Sequence, residues 1–270
     1  MTTMVRMPAV AGQFYPGQRQ ALEQELDGYT RVYGDKIVAR GCIVPHAGYM
    51  YSGHVAGAVY GRLELPRRFI ILCPNHTGMG EPLAVMSSGD WMTPLGKAPV
   101  DKALAESLKD RYPRLTEDAE AHLREHALEV QLPFLQKLRP DFSFVPITVG
   151  ADQYDALEGL GRAIAAALEE IADEVLIVAS SDMNHYESDE ITRQKDGRAL
   201  ERILALDPPG LYEVIMHQNI SMCGFGPAIV MLTAAKLRGA KRAELIRYAT
   251  SGDISGDRKK VVGYAGVAVI

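Results

Sequence analysis

Four short runs of nearly unbroken hydrophobic residues, CIVP (42–45), FIILC (69–73), FSFVPITV (142–149) and VLIVAS (175–180), are separated by longer stretches whose apolar residues recur every three or four positions. Unbroken hydrophobicity over the length of a strand belongs to strands covered on both faces, and parallel strands need helical crossovers to supply that cover. The alternation therefore predicts an α/β fold with a mostly parallel central sheet flanked by helices. No linker, composition shift or internal repeat divides the sequence, so one domain over residues 1–270 is expected.

The connecting segments are legible individually. The clearest helix follows Asp152, read as its N-cap, and carries Leu157, Leu160, Ile164, Leu168 and Ile171 as one stripe. Residues 18–29 place Ala21, Leu22, Leu26 and Tyr29 on one side, while Ser52 reads as the cap of a helix bearing Ala56, Val59, Tyr60 and Leu63. Further helices are expected over 101–111, around 129–138 with a boundary disturbed by Pro133, around Leu200, Ile203 and Leu204 before a break at Pro208-Pro209-Gly210, and from Pro227 towards Arg238. Residues 244–248 and 264–269 read as strands, and Gly89-Asp90 suggests a hairpin within 83–95. The polar segment SGDISGDRKK (251–260) reads as a hairpin connection or mobile loop.

Charge and punctuation exclude several classes. The 29 basic and 34 acidic residues are interspersed and leave a net charge of −5, so the electrostatic footprint of a nucleic-acid binder is missing. No apolar run approaches the roughly 18 residues of a membrane span, and VVGYAGVAVI at the C-terminus reads as a final buried strand. Pro8, Gly12 and Gln13 interrupt the opening residues where a signal peptide would be apolar, so a cytoplasmic protein is expected and the Asn75-His76-Thr77 sequon reads as structural or catalytic. Cys42, Cys73 and Cys223 fit neither a disulfide framework nor a zinc ribbon, and the first two sit inside strands and are expected in the core. Dinucleotide-binding, P-loop and nucleophile-elbow signatures are all missing.

The chemistry-bearing residues gather at strand ends. His46 follows CIVP, His76 follows FIILCPN, and Asp182 and His185 follow VLIVASS. Ligands of open α/β sheets collect at the carboxyl ends of the strands, so these distant residues are expected to converge. His46 and His76 are the ligand candidates for a transition metal, against the alternative of ordinary hydrogen-bonded histidines. Asp182 is read as orienting a ligand and His185 as moving a proton, or else the segment is an Asx-capped turn. Cys223, near the start of the Pro227 helix, reads either as a thiol with a lowered pKa or as a small core residue. His122, Glu125 and His126 spell the H-x-x-E-H pattern, with a charged helix surface, or a single pocket histidine at His126, as the competing readings.

MPAVAGQFYP, VPHAGYMYSG, PNHTG, EHALEVQLPFL, SSDMNHY and MCGFGP occur in this order, and together the chain resembles the Memo family, including the microbial AmmeMemoRadiSam system protein B, over nearly its whole length. The resemblance implies a fold related to the class III extradiol ring-cleavage dioxygenases, which use non-haem iron. It also implies a metal pocket of His46, His76 and Cys223, with His185 matching a catalytic acid/base and His126 a further pocket residue. A thiolate in place of the carboxylate of an iron triad shifts the expected metal towards copper or zinc. Redox or oxygen-dependent chemistry follows as the expected activity, with radical-SAM and AMMECR1-like proteins as partners. The competing expectation is a non-enzymatic module binding a peptide, metabolite or protein in the same pocket.

Overall fold

The structure is a computed structural model and describes residues 4–31 and 34–270. Its strands are β1 (Val5–Arg6), β2 (Gly41–Val44), β3 (Arg68–Pro74), β4 (Leu83–Val85), β5 (Asp90–Thr93), β6 (Gly96–Pro99), β7 (Thr116–Glu117), β8 (Ser143–Val149), β9 (Val175–Ser180), β10 (His185–Glu187), β11 (Ala243–Thr250) and β12 (Val261–Val269). The four hydrophobic runs form the centre of one sheet in the order β2-β9-β3-β8, all parallel. Antiparallel β12 joins β2 and carries β10 and β11, while β4 and then β7 extend the other side. β1, β5 and β6 form a small second sheet.

Side chains alternate across a strand, so each central strand feeds two cores. Ile43, Ile70, Leu72, Ile177 and Ala179 face a layer built from helices Lys102–Arg111, Tyr154–Glu169, Asp189–Leu204, Pro208–Gln218 and Phe225–Leu237. Their neighbours Cys42, Val44, Phe69, Ile71, Cys73, Leu176 and Val178 face helices Arg19–Tyr29, Tyr49–Arg62 and Leu132–Leu138. Both strand cysteines are thus free and buried, as expected. Helix Phe225–Leu237 is enclosed on nearly every side, and Gly161 lets helix Tyr154–Glu169 approach it. A Cβ there would stand 2.7 Å from Thr233 Cβ and 2.8 Å from the Val230 carbonyl.

Several sequence expectations move. The N-cap of helix Tyr154–Glu169 is Gln153 rather than Asp152, and Ile171 lies beyond its end. Helix Tyr49–Arg62 starts three residues before Ser52, after Gly48, and the Ser52 hydroxyl donates to the Ala47 carbonyl within the first turn. Pro208 and Pro209 do not merely break the preceding helix, because Asp207 accepts from the Gly210 N–H and starts another one. The hairpin is β5–β6, turning at 93–96, whereas β4 belongs to the central sheet. Segment 251–260 is a hairpin connection containing the one-turn helix Ser251–Ser255, closed by a Thr250/Asp253 capping box.

The N-terminal segment is fastened by a buried ion pair. Arg6 lies over the Trp91 ring at 4.2 Å and meets the Glu129 carboxylate, both charges fully buried. Glu129 also accepts from Ala9 N–H (2.7 Å), Val10 N–H (3.1 Å) and the Tyr15 hydroxyl (2.6 Å). Removing one partner leaves the other charge uncompensated in the interior. Arg6→Ala is expected to cost about 3–5 kcal/mol in urea unfolding, and a loss below about 1 kcal/mol would contradict this account. A second ion network fixes the β11–β12 connection to helix Asp189–Leu204. Arg193 (2.9 Å), with Thr250 (2.6 Å) and Arg258 (2.6 Å), donates to Asp189 and holds its carboxyl down at about 2. A carboxyl depressed in the folded state stabilises above its unfolded pKa and ceases to as the pH falls through the folded value. The unfolding midpoint should therefore fall between about pH 4 and pH 2, less steeply in Asp189→Asn; equal slopes in the two proteins would contradict the linkage.

Candidate metal centre

β2, β9 and β3 end side by side, and the chain leaving each one carries polar side chains. β9 lies between β2 and β3, helix Tyr49–Arg62 crosses over on one face of the sheet, and helix Tyr154–Glu169 crosses on the other. Crossovers that diverge in this way open a crevice at the strands' carboxyl ends. It is occupied by a cleft of about 600 Å³ lined by Phe14, His46, His76, His126, Asp182, His185, Tyr186 and Cys223, among others. His46, His76, His126, Asp182, His185 and Cys223 all converge on it, whereas His122 does not.

The hydrogen bonds fix which nitrogen His46 presents. Ser180 Oγ has one proton and donates it to the Ala127 carbonyl at 2.6 Å, while Gln131 Nε2 donates to that oxygen at 2.9 Å. His46 Nδ1, 2.9 Å from the same oxygen, must then be the donor. Its Nε2 is left as an unprotonated lone pair 3.2 Å from Cys223 Sγ. Burial, together with His76, His126 and His185 nearby, holds the His46 imidazole neutral, with its pKa well below the usual range.

His76 is oriented by a carboxylate. The fully buried Glu125 accepts from the His76 backbone N–H (2.6 Å), from His76 Nδ1 (2.9 Å) and from the Ala127 N–H (2.9 Å). Burial alone would raise the Glu125 pKa, but the bonds from His76 outweigh it and the net shift is downward. With Nδ1 engaged, Nε2 of His76 is free for the cleft. A ligand atom from each of His46, His76 and Cys223 lies within 4.8 Å of the other two.

Cys223 is placed by the residue after it. A Cβ on Gly224 would overlap the Ser180 carbonyl and stand 2.6 Å from Ser181 Oγ, so only glycine lets this loop close on the end of β9. The thiol precedes the N-cap of helix Phe225–Leu237, yet its pKa is raised rather than lowered. Burial pushes it up, and the adjacent Asp182 adds to the effect.

Three further residues complete the cleft. Asp182 Oδ1 accepts from the His46 backbone N–H at 2.8 Å, and burial pushes its carboxyl up to about 6. His185 Nδ1 donates to the Ser221 carbonyl at 2.8 Å, and its Nε2 has no hydrogen-bond partner among the described residues. His126 stacks on His76 at 4.7 Å between ring centres, and Phe14 covers its other neighbourhood at 4.7 Å. His76, Glu125 and His126 form a second, overlapping group of ligand type.

The H-x-x-E-H pattern does not form a site. Helix Glu120–Leu123 ends before Glu125, and His122 is buried against Trp91 and Thr148, where burial and Arg6 lower its pKa to about 4. Reading from sequence missed the roles of Ser180, Gln131 and Glu125; the only local signal was their place beside strand ends and in EHALEVQ. It also missed Tyr186, which flanks the cleft with 72% of its surface exposed and a φ of 64°, a backbone conformation that a tyrosine rarely adopts.

The chain is similar to known proteins along nearly its whole length. A MEMO1 family protein of Methanosarcina barkeri is 44% identical over 269 residues, covering 98% of this chain and 100% of the relative. Relatives of the same description from Methanothermobacter thermautotrophicus (40%, covering 97% and 99%) and Aquifex aeolicus (42%, covering 97% and 98%) are similar along their length. Among solved structures, an uncharacterized Escherichia coli K12 protein, JW3007, shares the fold with a TM-score of 0.57 at 14% identity, over 84% of this chain and 98% of that one. The profile described as Memo-like protein matches residues 6–268, and the chain belongs to the Memo family.

Proposed function

We propose that this protein holds one transition metal ion through His46, His76 and Cys223 and uses it for redox or oxygen-dependent chemistry on a small molecule or peptide bound in the cleft. The observation that carries the reading is the hydrogen-bonding of the two imidazoles. Each has its Nδ1 engaged by a buried partner, which leaves Nε2 as the donor atom, and that of His46 lies beside the thiol. Partners that fix the tautomer in this way are the usual support of metal-binding histidines. Two ligands of a tetrahedral ion with Zn–S and Zn–N bond lengths stand about 3.6 Å apart; Cys223 Sγ and His46 Nε2 are 3.2 Å apart, so the donor set fits.

Two imidazoles and a thiolate suit copper or zinc better than iron, which more often takes a carboxylate in such a triad. When bound, zinc would supply Lewis acidity and copper electron transfer as well. Around it, Glu125 orients His76, Asp182 holds the His46 backbone, and His185 Nε2 is the group that takes or gives a proton at the cleft. His126 and Phe14 form the wall beside His76. A cytoplasmic location and association with radical-SAM and AMMECR1-like proteins belong to the same reading. The second reading, a binding module without turnover, draws on the exposed Tyr186 ring beside the cleft.

Metal titration separates these readings. Under anaerobic conditions the wild type is expected to take up one equivalent of Cu(I) or Zn(II), Glu125→Gln to bind about 10–100-fold more weakly, and His46→Ala and Cys223→Ser to lose more. Stable binding that is indifferent to all three substitutions would remove the metal reading and leave the binding module. Long-range proton–nitrogen NMR of the metal-free protein should find both His46 and His76 protonated at Nδ1. A proton on Nε2 of either with none on Nδ1 would contradict the donor geometry.

A further inference from the structure

Away from the metal centre, a separate cleft of about 440 Å³ opens between helix Tyr49–Arg62 and β11. Its wall includes Arg31, Arg62, Arg247 and His54, together with Tyr29 and Ile246, and no carboxylate contributes to the lining among the described residues. In a chain of net charge −5 such a concentration of one sign is unusual. The nearby acids have partners, two of them in the wall itself. Glu25 accepts from the Tyr29 hydroxyl at 2.9 Å, and Asp253 is held by Arg193 (2.8 Å), Arg258 (3.2 Å) and the Thr250 N–H (2.9 Å). Glu244 approaches Arg62 at 3.7 Å. Arg31 and Arg247 are exposed and meet no carboxylate among the described residues.

We propose that this cleft binds a phosphate-bearing small molecule, with Arg247 and Arg31 gripping the phosphoryl oxygens. A guanidinium presents parallel N–H groups that match phosphate oxygens in pairs, and several around one concavity multiply that preference. His54 adds a neutral hydrogen-bonding group, because burial and the neighbouring Arg247 lower its pKa. The volume falls within the range of small-molecule pockets and exceeds what a lone phosphate fills. Ile246 and the Tyr29 ring offer apolar surface for the carbon skeleton of an ester.

The cleft shares no lining residue with the metal centre, so its test is independent of the metal. Inorganic phosphate and glycerol 3-phosphate are titrated separately into the full chain by calorimetry at constant ionic strength, with Arg247→Ala and Arg31→Ala alongside. Both arginines are exposed, and their removal is expected to leave the unfolding midpoint in place. Saturable binding weakened about tenfold or more by each substitution is the expected result. A tighter constant for the ester identifies a phosphorylated metabolite, and equal constants identify free phosphate; both support the site. Lack of saturable binding by either compound, or binding unchanged in both variants, overturns it.

Discussion

A carboxylate withdrawn from water is tolerated only when donors surround it, and one turn of this chain buries two of them. Glu125 and Glu129 are both fully buried, and Gln131 beside them is equally enclosed. Meeting their demands organises the neighbourhood. Glu129 gathers Arg6, two backbone N–H groups and Tyr15, and so draws the N-terminal segment, with Phe14, across the sheet. Glu125 takes both polar hydrogens that His76 can offer it, and Gln131 reaches the Pro45 carbonyl and Ser180. Glu125 and Gln131 thus join the ends of β2, β9 and β3, and Glu129 fastens the N-terminal segment beside them.

The same logic sets the electrostatic character of the centre. Imidazoles, one thiol and the Asp182 carboxyl are buried with little cationic compensation, so His46 is held neutral, Cys223 is held as a thiol and Asp182 is pushed up to about 6. These directions reduce the charge that the interior must carry. A divalent or monovalent cation placed among such donors would reverse that pressure on the thiol, since a coordinated sulfur is deprotonated. Backbone constraint contributes as well. Gly224 permits the contact that brings Cys223 over β9, and the enclosed helix behind it allows that contact little freedom to relax.

Much of this was legible in the residues. The central strands announced themselves because burial on both faces leaves no polar residue to interrupt them, and the strand-end histidines followed from where such sheets bind ligands. Caps were harder. Asp152 and Ser52 have the right chemistry for N-caps, yet helix starts at Gln153 and Gly48 were decided by chain direction and packing rather than by a side-chain bond. The hairpin was misplaced because Gly89, with φ 109°, marks where the chain passes between two sheets, which looks the same in sequence as a turn within one. Glu125 was noticed only through a helical motif. Its actual task depends on His76, 49 residues away, and no local pattern encodes such a pairing.

The separation of His46 and Cys223 by 177 residues has a consequence for the life of the chain. Ligands close in sequence can seize an ion early and let it nucleate folding, as in small zinc domains. Here the donors meet only after β9 has slipped between two earlier strands and the helix after Cys223 has docked on them. Closing so long a loop belongs to the slow, nonlocal part of folding. The cluster is therefore a product of the finished fold rather than its seed, and a nascent chain emerging from the ribosome carries no complete set of candidate metal donors until the segment around residue 223 has been made.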